Sequence, residues 1–295
     1  MLVGPVVWLL LARIGPITPV AASPPSAPDS AIVVQGTRDR DKQINDFIRE
    51  LTPTIPGPQG QLSRFEEKVC PQVFGLPAAY DQLVAERMRA VAAAAGIPVG
   101  KEGCRANVVV IVTADKADFI KRASVKRSYI FPRAWSGSTI RALQRDRSPA
   151  VAWTVEEKYS ADGIEFDYGN EVPLNRSIGS LSRLKPTARP RTLASVLVIQ
   201  TDALDGLSTR QLADYAAMRT FVNTEPRRVE ASARNTILTL LDTPMGQPVP
   251  LSLTAWDLSF LKSFYASRLN SYAGYQRAEM KGIMRRELDL QQSSR

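Results

Sequence analysis

The sequence contains no histidine in 295 residues. Histidine is the usual general base near neutral pH and the commonest metal ligand. Its absence excludes serine triads and cysteine–histidine dyads, and it removes the ligand that most zinc sites use. Neither a P-loop nor a glycine-rich dinucleotide fingerprint occurs. We therefore expect no bound zinc and no cofactor.

Cysteine is almost as scarce, with only Cys70 and Cys104 present. An even count in an exported chain favours one disulfide in an oxidising compartment. Two free buried thiols are the alternative. Two thiolates without histidine cannot complete a tetrahedral zinc site, so a metal role is not expected.

The first 22 residues have the pattern of a signal peptide. The run "LVGPVVWLLLA" is apolar, and Val20 and Ala22 are small residues at the −3 and −1 positions of a cleavage site. We expect cleavage after Ala22 and a periplasmic or secreted protein without a membrane span. No lysine or arginine precedes the run, so a membrane anchor is the alternative, although the run is shorter than the roughly 20 residues needed to span a bilayer.

The rest of the chain divides into a leader and one large domain. Residues 23–60 begin with the flexible "SPPSAPDS" and continue into a short helix that we expect to be peripheral. Residues 61–295 are expected to form a single α+β domain that ends in two helices. The apolar side chains of the short helix repeat at helical spacing, at Ile44, Phe47, Ile48 and Leu51.

Apolar patterns in the domain predict helices and buried strands. The segment "LPAAYDQLVAERMRAVAAAAG" predicts a helix with Leu83, Val84, Met88 and Val91 on one face. Residues 107–113 and 193–201 are continuous apolar runs, typical of strands buried on both faces. The fold class predicted is α+β, a mixed β-sheet packed with helices.

Two capping boxes mark helix starts in the second half of the chain. Ser208 precedes Gln211 by three residues, and Thr254 precedes Asp257 by the same spacing. The helix capped by Ser208 should therefore begin at about Thr209. Its core side chains are predicted to be Leu212, Ala216 and Met218.

The order of elements over residues 105–268 resembles that of the zincin metalloproteases, particularly the metzincins. A strand leads into a capped helix, "TPMGQ" supplies a turn containing Met245, and the last part reads L-T-x-x-D-x-x-x-L-x-x-x-Y. The family's H-E-x-x-H would fall on residues 211–215, which here read Q-L-A-D-Y. The resemblance implies a zincin-like scaffold without the metal, with Met245 packed beneath the helix that begins at Thr209.

Three short segments, "FEEKVCP", "GCRANVVVIVT" and "QLADYAAMR", resemble an uncharacterised family of exported proteins from Gram-negative bacteria. That resemblance implies export and carries no activity with it.

The zincin-like arrangement implies ligand-binding candidates on the helix that begins at Thr209. Gln211, Asp214 and Tyr215 form its polar edge, nearest the position where the family holds its metal. Their chemistry suits hydrogen bonding to a ligand better than activation of water. A purely structural role for Asp214 is the alternative, because Asp is a poor helix former.

The chain carries a net charge of +9, with short basic clusters at 121–127, 226–228 and 281–288. Acidic residues lie among them, and no basic surface interleaved with aromatic residues stands out, so no nucleic-acid partner is expected. Anionic envelope components, including lipid head groups, are the expected partners. A generally soluble basic surface is the alternative.

Two function classes remain open from the sequence. The first is an exported envelope or periplasmic protein with a metal-free zincin-like scaffold. Its role would be binding or structural and not catalytic. The second is a histidine-independent hydrolase that uses paired carboxylates, acting on cell-wall sugar.

We predict that the mature chain begins near Ser23 when the protein is expressed with its leader in a Gram-negative host, because Val20 and Ala22 suit signal peptidase. Intact mass of protein released from the periplasm measures the new N-terminus. Recovery of the uncleaved chain in the membrane fraction would contradict cleavage and favour the anchor.

Overall fold

The computed structural model describes residues 30–52, 60–167, 174–175, 185–224, 236–244 and 246–293. The chain divides into two compact units, Met1–Arg38 and Asp39–Arg295. In the first unit the described residues are 30–38, and all of them are helical. The second unit is the main domain.

The main domain is mixed α+β, as the sequence predicted. The helices are α1 (Ser30–Leu51), α2 (Ala78–Ala94), α3 (Lys116–Lys126), α4 (Gly137–Arg145), α5 (Thr209–Phe221), α6 (Ala255–Ala266) and α7 (Ala273–Ser293). The strands are β1 (Pro71–Phe74), β2 (Val108–Thr113), β3 (Ala150–Ser160) and β4 (Ala188–Gln200). The sequence patterns had not predicted α4 or β1.

The four strands form one mixed sheet in the order β1-β2-β4-β3. β1 pairs with β2 and β2 with β4 in parallel, and β3 lies antiparallel to β4 at one edge. Val108 lies opposite Ser195, so the two apolar runs predicted as buried strands are neighbours. Their central positions agree with their predominantly apolar side chains.

Helices cover both faces of the sheet. Leu197 and Ile199 of β4 point into the main core, which includes side chains from α1, α2, α5, α6 and α7. The alternate residues Val196 and Val198 point to the other face, where they meet Ile120 of α3 and the aromatic Trp153 of β3. Successive side chains of a strand point to opposite faces of the sheet, so β4 is buried on both faces.

The first helix differs from the expected short peripheral element. It begins at Ser30, and apolar side chains of its C-terminal half lie in the main hydrophobic core. These side chains are Ile44, Phe47, Ile48 and Leu51, all buried. Phe47 also contacts Trp256 and Phe260 of α6, with ring centroids 5.3 and 5.8 Å apart.

In α2 the predicted apolar face is only partly correct. Val84, Met88 and Val91 are buried, whereas Leu83 is 51% exposed. A helix turns about 100° per residue, so the buried stripe at i, i+4 and i+7 leaves Leu83 at its margin.

Both predicted capping boxes are present. Ser208 caps α5 through the backbone N–H of Gln211, and Thr254 caps α6 through that of Asp257. Leu212, Ala216 and Met218 are buried in the core as predicted.

The predicted signal peptide lies outside the described residues, and so does Met245. Among the helices that the structure describes, none combines the length and the apolar character needed to cross a bilayer.

A disulfide joins Cys70 and Cys104, whose Cα atoms are 6.0 Å apart. Cys70 lies immediately before β1 and Cys104 shortly before β2. The bridge therefore closes the β1–α2–β2 segment, in which two parallel strands are joined through a helix. Free thiols, the alternative left open by the sequence, are not found.

We predict that the Cys70→Ser/Cys104→Ser variant unfolds with a free energy about 3 to 4 kcal/mol lower than the oxidised protein, because the unfolded chain regains the entropy of an open loop. Urea titration followed by circular dichroism measures the difference. Reductant should shift the wild-type midpoint and leave the variant unchanged. Equal midpoints for the oxidised wild type and the variant would contradict a stabilising bridge.

Candidate functional site

A cleft of about 380 Å³ opens at the free edge of the sheet, between β3, α4 and the C-terminal half of α5. Its wall is mixed, with apolar side chains and backbone on one side and polar groups on the other. The residues that line it include Thr139 and Leu143 of α4, Trp135 before it, Ala150, Val151 and Ala152 of β3, and Tyr215 and Arg219 of α5.

Tyr215 and Arg219 lie one helical turn apart and therefore share one side of α5. Arg219 Nη1 donates a hydrogen bond of 2.8 Å to the Tyr215 hydroxyl. The guanidinium carbon lies 5.7 Å from the centroid of the Tyr215 ring. The two side chains form a polar pair on the side of α5 that lines the cleft.

Arg219 is only 6% exposed. Its Nε is buried, and no hydrogen-bond partner for it lies within the described part of the chain. Nor does any carboxylate of the described residues form an ion pair with Arg219. A guanidinium has five N–H donors and a permanent charge, and burying a charge without a partner costs free energy. The fold thus holds a cation in the cleft, and the described residues leave its Nε–H without an acceptor.

Tyr215 is buried beside this cation. Burial raises the pKa of the Tyr215 phenol, Arg219 lowers it, and the negative charge of Asp242 raises it, with burial the largest effect. The phenol is therefore neutral at physiological pH. Because its oxygen accepts from Arg219, its own proton can be donated to a molecule in the cleft.

The rim of the cleft carries two carboxylates, Asp146 and Asp242. Asp146 accepts a hydrogen bond of 2.7 Å from the backbone N–H of Ser148, and its Oδ1 lies 3.7 Å from the buried Lys116 Nζ. Asp146 is thus held in a local ion pair, whereas Asp242 is exposed.

Aromatic rings back the apolar wall. Trp135 lies 6.3 Å from Phe131 and 6.2 Å from Trp153, measured between ring centroids. Phe131 stacks on Trp153 at 5.0 Å, and the Trp153 indole N–H donates to Ile130 O at 2.7 Å. These contacts anchor the segment before α4 and hold Trp135 at the cleft.

The three ligand-binding residues predicted from the sequence are all buried, and only Tyr215 lines the cleft. Gln211 is engaged at the start of α5. Its Oε1 accepts from the Ser208 backbone N–H at 3.1 Å, and its Nε2 donates to Pro250 O at 3.0 Å.

Asp214 joins three separate parts of the fold. Its carboxylate accepts 2.7 and 3.0 Å hydrogen bonds from Nε and Nη2 of Arg87 on α2. It also accepts a 2.6 Å bond from the backbone N–H of Leu253, just before α6. These partners account for a buried carboxylate without any ligand, which is the structural alternative considered from the sequence.

Arg219, which supplies the positive charge of the cleft, was not predicted from the sequence. The signal was the i, i+4 spacing from Tyr215 on a helix whose other side chains are mostly apolar. Residues 211–221 of α5 are all buried, so any charged side chain there needs a partner.

Comparisons with protein-family models, curated proteins and solved structures found no match for this chain. The zincin-like arrangement and the resemblance to an exported family therefore stay predictions.

We predict strong coupling between Arg87 and Asp214. Arg87→Ala and Asp214→Ala should each lower the free energy of unfolding by about 2 kcal/mol or more, because each leaves a charged partner with unmade hydrogen bonds. The double variant should lose less than the two single losses combined. Urea titration of the four proteins gives the coupling energy.

Arg210→Ala is the matched control, because Arg210 is exposed on the same helix. It should change stability by less than about 0.5 kcal/mol. A coupling between Arg87 and Asp214 of that small size would show that Asp214 does not hold α5 to α2.

Proposed function

We propose that the protein is an exported binding protein rather than an enzyme, and that its cleft holds an anionic ligand on Arg219. The observation that carries the proposal is a buried guanidinium without a counter-ion in the described residues, facing an open cleft. A ligand anion would supply the missing charge and accept the unused N–H donors.

The chemistry of the cleft favours a carboxylate with an apolar body. The planar guanidinium matches a carboxylate in bidentate geometry, and the Tyr215 hydroxyl can donate a further hydrogen bond. Trp135 and Leu143 offer apolar surface for the rest of the molecule. The volume of about 380 Å³ is that of a small-molecule site.

Export to the periplasm or the medium is part of the proposal. The Cys70–Cys104 disulfide supports it, because such bridges persist in oxidising compartments. The metal-free zincin-like scaffold is supported by the direct pairing of β2 with β4 and by the course of β4 toward α5. Anionic envelope components remain the proposed partners, and no nucleic acid is proposed.

A hydrolase that uses paired carboxylates is the second candidate, since Asp146 and Asp242 both line the cleft. Asp146 contacts Lys116 and Ser148, as a structural carboxylate does. Cleavage of cell-wall sugar by the purified protein, lost in Asp242→Asn and kept in Arg219→Gln, would favour this second function over binding.

The first test needs no knowledge of the ligand. We predict that Arg219→Met raises the free energy of unfolding by about 1 kcal/mol or more, because it replaces an uncompensated buried cation by an apolar side chain of similar length. Arg87→Met, which removes a cation that does have a partner, should lower it. Urea titration of the oxidised protein measures both. A loss of stability in Arg219→Met of the size seen in Arg87→Met would show that Arg219 is structural.

The second test uses phenylacetate as the probe and phenylacetamide as its neutral counterpart. Millimolar phenylacetate should raise the melting temperature of the wild type, and phenylacetamide should not, because only the carboxylate can pair with Arg219. The response should vanish in Arg219→Gln and persist in Arg210→Gln. Equal responses to the two compounds, or a response kept in Arg219→Gln, would refute the anion site.

A further inference from the structure

The positive charge of the chain is concentrated in one segment. Residues 115–147 contain nine basic and three acidic side chains, so six of the nine net positive charges fall there. This segment comprises α3, α4 and the loops that follow each of them. It forms the layer that covers one face of the sheet, over the small core around Trp153.

The cations of this layer point away from that core. The exposed ones used here are Lys121, Lys126, Arg127, Arg133, Arg141 and Arg145, which we call the basic layer. Among the described residues of the segment, the ion pairs are Lys116 with Asp146 and Arg122 with Asp118. The basic layer takes part in neither, so its charge is not neutralised by the described part of the protein.

Two large apolar side chains are exposed beside cations of the basic layer, and the hydroxyl of one of them, Tyr129, accepts a 3.1 Å hydrogen bond from Arg127 Nη1. Val125 is 81% exposed and Tyr129 is 71% exposed, on either side of Lys126 and Arg127. Apolar surface in water is unfavourable unless another surface covers it. A partner that covers this region would contact cations and apolar side chains together.

We infer that the basic layer docks the protein on an anionic membrane surface. The lysines and arginines would lie against the lipid phosphates, while Val125 and Tyr129 enter the boundary between head groups and acyl chains. Single-stranded nucleic acid fits less well, because its binding surfaces stack successive bases on several aromatic rings, whereas Tyr129 is the one aromatic side chain among the exposed large apolar residues described in this segment.

The inference deepens the proposed function by naming the envelope component, and it rests on the proposed envelope location for its physiological meaning. Vesicle binding is measured with purified protein and does not involve Arg219. A failure of the docking face can therefore be told apart from a failure of export or of the cleft.

The test is co-sedimentation of the purified, oxidised chain with vesicles of phosphatidylcholine containing about 30% phosphatidylglycerol, at about 0.1 M NaCl. The partition coefficient should exceed that for pure phosphatidylcholine by about tenfold or more, and the excess should disappear at about 0.5 M NaCl. Equal partition onto both vesicles would overturn the inference.

Matched variants locate the face. Lys126→Gln/Arg127→Gln should lower the partition coefficient about tenfold, whereas Arg210→Gln/Arg286→Gln, which removes the same charge from exposed sites on α5 and α7, should leave it within about twofold. Equal losses in both pairs would mean that net charge alone is responsible, which also overturns the docking face.

The apolar contribution is tested without a change of charge. Tyr129→Ser should lower the partition coefficient severalfold, and Tyr275→Ser, at a tyrosine that is also exposed, should not. Tighter binding of a thymidine oligonucleotide than of the anionic vesicles, lost in Lys126→Gln/Arg127→Gln, would assign the layer to nucleic acid instead.

Discussion

The Asp214 carboxylate accepts hydrogen bonds from Arg87 on α2 and from the backbone before α6, and so connects both elements to α5. Adjacent residues of a helix lie about 100° apart, so holding Asp214 toward α2 turns Tyr215 and Arg219 toward the edge strand β3. The cleft exists because α5 is fixed in this rotation. The Arg87–Asp214 ion pair thus also orients Tyr215 and Arg219 toward the cleft.

Asp214 and Arg219 lie on the same buried helix and differ in their ion-pair partners. Both are charged and both are buried. The carboxylate of Asp214 has a partner for each oxygen, whereas the hydrogen-bond partner of Arg219 among the described residues is the Tyr215 phenol. Removing one partner of a buried ion pair is destabilising, because it leaves a buried charge uncompensated, and a buried cation without a counter-ion is in that state from the start. A fold that keeps such a cation beside an open cleft has the arrangement expected of a site that a ligand completes.

The helix α4 takes part in both proposed interactions. Thr139 and Leu143 line the cleft, while Arg141 and Arg145 are exposed in the basic layer. This division follows from helical periodicity, which sends residues at i and i+4 to one side and their neighbours to another. Docking through the basic layer would therefore bring the cleft close to the membrane surface, where amphipathic carboxylates concentrate.

Local features of the fold were readable from the sequence. The capping boxes at Ser208 and Thr254 depend on residues three positions apart, and the two central strands are continuous apolar runs. The disulfide followed from the count of two cysteines. The caps and strands are determined by residue type and short spacing, and the disulfide by there being two cysteines, all of which the sequence states directly.

The partners of charged side chains were decided by tertiary structure alone. Arg87 and Asp214 are 127 positions apart, so no spacing rule identified Asp214 as an internal ion pair rather than a ligand contact. The burial of the α1 side chains and the exposure of Leu83 likewise depend on which faces meet. Arg219 became a candidate only when packing left it without a counter-ion among the described residues, because the cost of burying a charge depends on the neighbours it has in space and not on those it has in the chain.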